Sequence, residues 1–261
     1  ISSNFGGKLF EIIGPIFRSK NIIKKNLQTA ITNISDQEIN KISKLMWNNY
    51  GRVFAEYMFI KKFRYSKLNS NIQVEGQDIL ENLKKTNQSA IFISGHFANF
   101  ELMAMHIEKS GFDLCAIYRP LNNIFLNKIM ERIRKKYICK NQIKKGFKGV
   151  REALTFFKKG NSLAIMIDQR VSEGIDSKFF GINAFTTTIP AQFVKKFGCI
   201  VQPVYIQRFN KINFKVLFDD QLNFDKNENI ETITEKLNIW LEKKIIRSPD
   251  QWIWTHNRWK R

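Results

Sequence analysis

Residues 89–110 read SAIFISGHFANFELMAMHIEKS, and this stretch decides the fold class. Its first part, 89–94, is short, apolar and β-branched, which predicts a buried strand. From Asn99 to Ser110 a helix is expected, and Gly95 and His96 fall in the turn between the two elements. A buried strand that leads through a tight turn into a helix is typical of an α/β sheet.

The same alternation continues along the chain. Further strands are predicted over 114–118, 163–167 and 200–206, with a less regular edge strand over 212–218. Helices are expected to span 122–136, 147–159, 190–197 and 230–246. This pattern predicts an α/β fold with a mixed, largely parallel sheet flanked by helices.

The first quarter of the chain is predicted to form a helical segment that precedes the sheet. Ser35, followed by Glu38, has the spacing of a capping box, and apolar residues then recur at helical steps to about Lys62. The sequence contains no internal repeat, low-complexity tract or linker. We therefore expect a single domain over 1–261, with a helical segment over 1–66 and an α/β core over 67–261.

The composition limits the partners of the chain. The formal net charge is +20, which suits nucleic acid, an anionic membrane surface, an acidic protein or a phosphorylated substrate. The lysines are spread through the sequence, and no nucleic-acid-binding motif accompanies them, so nucleic acid is not an expected partner. The 23 Phe residues suit an acyl-chain channel and equally an ordinary core.

Cysteine spacing and hydropathy exclude other classes. Cys115, Cys139 and Cys199 are odd in number and far apart, which argues against a disulfide framework or a structural zinc site, and we expect no metal. No apolar run is long enough to predict a transmembrane helix. The chain begins at Ile1, so an N-terminal anchor or targeting segment could precede it.

His96 and Glu101 are the candidate catalytic pair. His96 follows a predicted strand, where α/β proteins place reacting groups. If His96 lies before the first helical turn, its ring can fold back towards the Glu101 carboxylate. That carboxylate would fix the imidazole tautomer and let the other ring nitrogen accept a proton from an alcohol. The spacing is common by itself, and His106 and His256 are expected to be packing residues rather than catalytic groups.

Six blocks in a fixed order extend the evidence beyond this pair. Over residues 21–261 the chain resembles the bacterial late lipid A acyltransferases (the lauroyl/myristoyl acyltransferase family), within the lysophospholipid acyltransferase superfamily. The blocks are GHFANFE at 95–101, YRP at 118–120, DQR at 168–170, FFG at 179–181, TTTIPA at 186–191 and WIWTHNRWK at 252–260.

The resemblance implies a glycerol-3-phosphate acyltransferase-like fold and a reaction. A fatty acyl group would pass from the thioester of acyl carrier protein to a hydroxyl of a lipid A precursor. His96 would act as general base, with Glu101 orienting and charging it. The substrate supplies the attacking hydroxyl, which fits the absence of a G-x-S-x-G nucleophile motif. Acyl-acyl carrier protein would be a co-substrate, and no cofactor is expected.

Several polar residues near the predicted strand ends are candidates for binding substrate. Arg119 and Arg134 are expected to bind phosphate groups, with Arg132 as the alternative to Arg134, because a guanidinium matches a phosphate well. Asp168 is a further candidate, which could bind substrate or support the active-site loop. The Trp-rich terminal block could lie at a membrane interface or pack over the core. The other candidates for substrate binding are Asn99, Gln169 and Arg170.

The resemblance also implies where the protein acts and on what. The expected partners are acyl carrier protein, a lipid A precursor and an anionic membrane surface, and the expected location is the cytoplasmic face of the inner membrane, with peripheral attachment or an anchor outside this sequence. A lysophospholipid, a glycolipid or an aminolipid is the alternative acceptor. A basic nucleic-acid-binding protein is the remote alternative.

Overall fold

The computed structural model describes residues 2–225 and 227–260. The helices are α1 Ser2–Phe17, α2 Lys20–Ala30, α3 Asp36–Tyr57, α4 Ile60–Tyr65, α5 Gln77–Lys85, α6 Glu101–Lys109, α7 Ile124–Tyr137, α8 Phe147–Lys158, α9 Ile189–Phe197 and α10 Ile230–Arg247. The strands are β1 Ile72–Glu75, β2 Ala90–Ser94, β3 Leu114–Tyr118, β4 Asn141–Lys144, β5 Ser162–Met166, β6 Ile175–Phe179, β7 Ile182–Thr186, β8 Ile200–Asn210 and β9 Asn213–Phe218.

Seven of these strands form one twisted sheet in the order β1-β9-β8-β2-β5-β3-β4. Every neighbouring pair is parallel except β8 and β9, which are antiparallel. The sheet is flanked by helices, as connections between parallel strands require. The predicted α/β class, with a mixed and largely parallel sheet after an N-terminal helical segment, is confirmed.

The predicted elements agree with the observed ones to within a few residues, but four strands were not predicted. β1 and β4 are four-residue edge strands with polar side chains, so their apolar signal is weak. β6 and β7 form a separate antiparallel hairpin. Its turn is at Phe180 and Gly181, both with positive φ.

The helical segment packs over the carboxyl ends of the central strands. The predicted capping box at Ser35 and Glu38 is present at the start of α3. α1 lies against α3, and the two backbones touch where a Cβ on Gly51 would lie 2.2 Å from the Gly6 carbonyl oxygen. At its far end α3 reaches the loop after β2, where Asn99 Nδ2 donates to Glu56 Oε2 at 2.9 Å.

The terminal Trp block is part of the core. Trp252 and Trp254 are buried and contact each other edge to face, and Trp254 Nε1 donates to the Pro249 carbonyl. The interpretation that these rings pack over the core is therefore correct, and a membrane interface is wrong for them. Among the described residues, no helix combines the length and apolar character needed to span a bilayer.

Candidate active site

A polar site lies at the carboxyl edge of the sheet, where β2 and β5 run side by side. Ser94 pairs with Met166 in parallel register, so the residues two positions further along each strand direction face each other. These residues are His96 and Asp168, and His96 Nδ1 lies 2.8 Å from Asp168 Oδ1. Neighbouring parallel strands thus bring together two side chains that are 72 positions apart.

The loop after β2 is held in one conformation. A Cβ on Gly95 would lie 2.9 Å from the Phe97 ring and 3.0 Å from Leu241, so a larger residue does not fit there. Ala98 has a φ of 41°, which is strained for a residue other than glycine, and its N–H donates to the Gln251 carbonyl at 2.9 Å. The surrounding structure therefore fixes the backbone that carries His96.

Asp168 is a fully buried carboxylate that accepts several N–H groups. Besides the imidazole, the His96 backbone N–H donates to Oδ2 at 2.8 Å and Trp252 Nε1 at 2.9 Å. Burial would raise the pKa of Asp168, but the facing His96 and its hydrogen bonds hold that pKa well below its usual value. The ionised carboxylate keeps a proton on His96 Nδ1, so the lone pair of the neutral ring is on Nε2.

Gln169 and His256 lie next to that lone pair. Gln169 Nε2 is 3.5 Å from His96 Nε2 and 3.1 Å from His256 Nε2. Burial, with a smaller contribution from His96, lowers the pKa of His256 to about 4, so His256 is neutral at pH 7 and accepts a hydrogen bond. The Gln169 NH₂ group lies between the two Nε2 atoms and can only donate, so in this arrangement His256 accepts at Nε2.

Glu101 faces away from the imidazole. Its carboxylate accepts from Arg134 Nη2 at 2.6 Å and Nε at 2.9 Å, and also from the Tyr57 hydroxyl. The Phe100 ring packs against His96 instead, with ring centroids 4.7 Å apart. The geometric expectation that the His96 ring folds back on Glu101 is wrong, because Glu101 begins α6 and its side chain points towards α3 and α7.

Comparison with known proteins bears on what this site does. The model of the bacterial lipid A biosynthesis acyltransferase family matches residues 2–261. The chain belongs to this family. Two similar relatives are the lipid A biosynthesis palmitoleoyltransferase of Escherichia coli (strain K12) and the lipid A biosynthesis acyltransferase of Shigella flexneri. Each is 22% identical over 248 residues, which cover 93% of this chain and 79% of the relative. Membership of the family shows that this lipid A acyltransferase transfers acyl groups in lipid A biosynthesis.

Arg134 of this lipid A acyltransferase is engaged within the protein. Burial would lower its pKa, but the Glu101 carboxylate raises that pKa above the usual value. The guanidinium also lies over the Tyr118 ring, with 5.7 Å between its carbon and the ring centroid. Because Nε and Nη2 both bind Glu101, the structure does not present this fork to a phosphate. Arg132, the alternative, is exposed on α7.

The other predicted substrate residues fall into two groups. Arg119 is exposed, and its charge helps to lower the pKa of His256, which places it near the site. Arg170 donates to the Lys260 carbonyl at 2.7 Å and is held by protein contacts. Asn99 is fully buried below the loop, so the structure does not bring it into contact with substrate.

Three residues that contact the candidate site residues were not predicted from the sequence to belong to the site. Tyr57 binds Glu101, Trp252 donates to Asp168, and His256 contacts Gln169. Trp252 and His256 belong to the terminal block WIWTHNRWK, and this block was the sequence feature from which they could have been predicted as site residues. Within residues 2–225 and 227–260, no group of three or more His, Cys, Asp or Glu side chains is arranged to hold a metal.

Proposed function

We propose that this lipid A acyltransferase moves a fatty acyl group from the thioester of acyl carrier protein to a hydroxyl of a lipid A precursor, with His96 as general base. The observation that carries the proposal is the His96–Asp168 pair, whose buried carboxylate puts the lone pair that accepts a proton on Nε2. A positioned base of this kind contributes roughly 10²–10⁴-fold to a proton transfer.

The reaction needs no protein nucleophile. The acceptor hydroxyl gives its proton to His96 Nε2 while its oxygen attacks the thioester carbonyl carbon. The tetrahedral intermediate collapses, the C–S bond breaks, and the leaving thiolate takes the proton from the imidazolium. Asp168 stays ionised throughout and stabilises the positive charge on the ring, as a buried carboxylate does beside an imidazolium.

Gln169 supplies a hydrogen-bond donor beside the base. Its NH₂ group is 3.5 Å from His96 Nε2, so it lies near the carbonyl oxygen that becomes negatively charged during attack. A fixed donor at such a position is worth roughly 10²–10³ in kcat. His256 binds the same NH₂ group at 3.1 Å and is a positioning residue for it.

Glu101 contributes to catalysis indirectly in this proposal, because it does not contact the imidazole. It holds Arg134 and Tyr57, and so ties α3, α6 and α7 together at the mouth of the site. Of the arginines predicted to bind phosphate, Arg119 is the one available to a phosphate of the acceptor near the site, because it is exposed and lies within electrostatic reach of His256.

The electrostatics of the chain suit these partners. A net charge of +20 favours an acidic carrier protein, a phosphorylated acceptor and an anionic leaflet. We propose the cytoplasmic face of the inner membrane as the location of the enzyme, as the resemblance to the late lipid A acyltransferases implies.

The test is an acyl-transfer assay with purified protein, acyl-loaded carrier protein and a tetra-acylated lipid A precursor. His96→Ala should abolish transfer without changing the circular dichroism spectrum. His106→Gln is the matched control, because His106 is bonded to Gln77 away from the site. Near-wild-type turnover by His96→Ala would remove the proposed base, and faster acylation of lysophosphatidic acid would select the alternative acceptor.

A further inference from the structure

A group of large apolar side chains projects into solvent from the segments that follow β3 and β4, mainly from the first turns of α7. Their exposed fractions run from 41% for Leu121 to 80% for Phe125. We call them the α7 rim, and its members are Leu121, Ile124, Phe125, Leu126, Ile129 and Phe147. α7 has no fully buried residue: Met130, Ile133 and Tyr137 pack against the core while partly exposed, and the rim side chains lie outside that contact.

The α7 rim lies at the edge of the sheet that carries the active site. β3 and β4 are parallel to β2 and β5, so the residues that follow them come out at the same edge as His96 and Asp168. α7 is also joined to the site through the buried ion pair between Arg134 and Glu101. Whatever covers the rim is therefore held at the edge of the sheet that carries His96 and Asp168.

Basic residues surround these apolar side chains. Lys128 lies on α7 among the rim residues, and Lys144, Lys145 and Lys148 flank Phe147. Residues 128–159 contain twelve Lys and Arg but only two Glu, a net charge of +10 out of +20 for the whole chain. Half of the net charge of the chain thus lies in the segment from α7 to α8 that carries the rim.

We propose that the α7 rim docks on an anionic lipid surface, inserting its apolar side chains between headgroups while the lysines contact lipid phosphates. Large apolar residues ringed by lysine are typical of helices that lie in a membrane interface. An acidic protein surface without exposed apolar side chains would complement the lysines but would leave the aliphatic and aromatic side chains of the rim without an apolar partner. The inference rests on the proposed function in one respect: it explains how a lipid acceptor reaches His96 from a bilayer.

The experiment is co-sedimentation of the purified chain with vesicles of phosphatidylglycerol and phosphatidylethanolamine, and in parallel with vesicles of phosphatidylcholine alone. The wild type should bind the anionic vesicles. Phe125→Glu and Ile129→Glu should each weaken that binding by about tenfold or more, because apolar burial in the interface is lost. Lys128→Ala should weaken it by about fivefold, with the loss shrinking as salt is added.

Ile239→Glu is the matched control, since Ile239 is an exposed helical isoleucine on α10, which packs on α9 and β6. It should bind vesicles like the wild type. The inference is overturned if the rim variants bind vesicles normally, or if they lose binding only to acyl carrier protein. Loss of vesicle binding in Ile12→Glu alone would move the docking face to α1, where Ile12 is also exposed.

Vesicle binding and chemistry are read separately. His96→Ala should bind anionic vesicles like the wild type, since His96 lies in the site and not among the rim residues. If His96→Ala still transfers acyl groups, the proposed mechanism fails while the vesicle result stands. If the rim variants bind vesicles normally while His96→Ala is inactive, the docking inference fails alone.

Discussion

Replacing Asp168 by Asn separates the two carboxylates that have been considered for orienting His96. In the wild type, Asp168 Oδ2 accepts two N–H groups, one from the His96 backbone and one from Trp252. An Asn amide at this position must turn its oxygen towards those two donors, because its NH₂ group cannot accept them. The NH₂ group then faces His96 Nδ1.

That orientation exchanges the tautomer of the base. An NH₂ donor opposite Nδ1 makes Nδ1 the acceptor, so the ring proton moves to Nε2 and the lone pair that should take the hydroxyl proton is lost. The general-base contribution disappears, and kcat should fall by roughly 10²–10⁴-fold. The fold should survive, because the Asn oxygen still satisfies both buried donors.

The assay is steady-state acyl transfer from loaded carrier protein, with unfolding in urea as a check on the fold. Glu101→Gln is the comparison, since the Glu101 carboxylate touches Arg134 and Tyr57 but not the imidazole. It should lower kcat less than Asp168→Asn does. If Asp168→Asn turns over near the wild-type rate while Glu101→Gln is inactive, the orienting carboxylate is Glu101 and the reasoning from the hydrogen bonds is refuted.

Three further predictions concern the surroundings of the base. Gln169→Ala should lower kcat by roughly 10²–10³ with little change in KM, because a donor near the developing charge is lost, and steady-state kinetics measure this. Arg134→Met should reduce the free energy of unfolding in urea by about 3–5 kcal/mol, because Glu101 stays buried without its partner. Between about pH 7 and about pH 5, His106 and His256 should each cost up to about 2 kcal/mol of stability in urea titrations, because burial lowers both pKa values from 6.5 to about 4. In that range the unfolded chain binds the protons and the folded chain does not, so stability falls as the pH falls.

Each of these predictions has its own control. Gln192→Ala removes an amide on α9 that binds Thr188, and it should leave kcat unchanged. Combining Arg134→Met with Glu101→Gln should recover part of the lost stability, and a double variant no more stable than Arg134→Met would count against the buried ion pair as the cause. His256→Gln should flatten the pH dependence of stability, and an unchanged slope would contradict the assignment to His256.

Local sequence patterns were sufficient to predict most helices and strands and the position of His96 at the end of a strand. Apolar, β-branched residues over 90–94 mark a strand that is buried on both faces, and the glycine turn after it places the next polar side chain at the sheet edge. The capping box at Ser35 is equally local, because both of its partners lie within one helical turn. Such signals depend on neighbours in the chain, and a single sequence carries them fully.

The partner of His96 depends on strand order, which the sequence does not specify. Glu101 was predicted as the partner of His96 because it is close along the chain. Asp168 follows β5, and two strands, β3 and β4, lie between β2 and β5 in the sequence. β5 is inserted between β2 and β3 in the sheet, and only that placement brings Asp168 beside the imidazole. The Asp168 side chain was predicted at the correct edge, but its contact could not be derived from spacing.

Burial is the second quantity that spacing does not give. Arg134 was expected at a phosphate, but α7 turns it inward onto Glu101. Asn99, predicted to meet substrate, lies below the loop against Glu56. A polar residue near a strand end reads the same in sequence whether it faces solvent or a neighbouring helix, and the packing of α3 and α7 decides between the two.

The register between β2 and β5 has a consequence for how members of this family can vary in length. His96 and Asp168 each stand two residues beyond a pair of register partners, Ser94 and Met166. Insertions and deletions in the loops that connect the elements from α6 to β5 leave that pair aligned, because they lie outside the two strands and outside the loop that carries His96. A single-residue insertion between Ser94 and His96 would break the contact with Asp168. Alignments of relatives should therefore show gaps in the connecting loops between the two strands, and no gaps between Ser94 and His96 or between Met166 and Asp168.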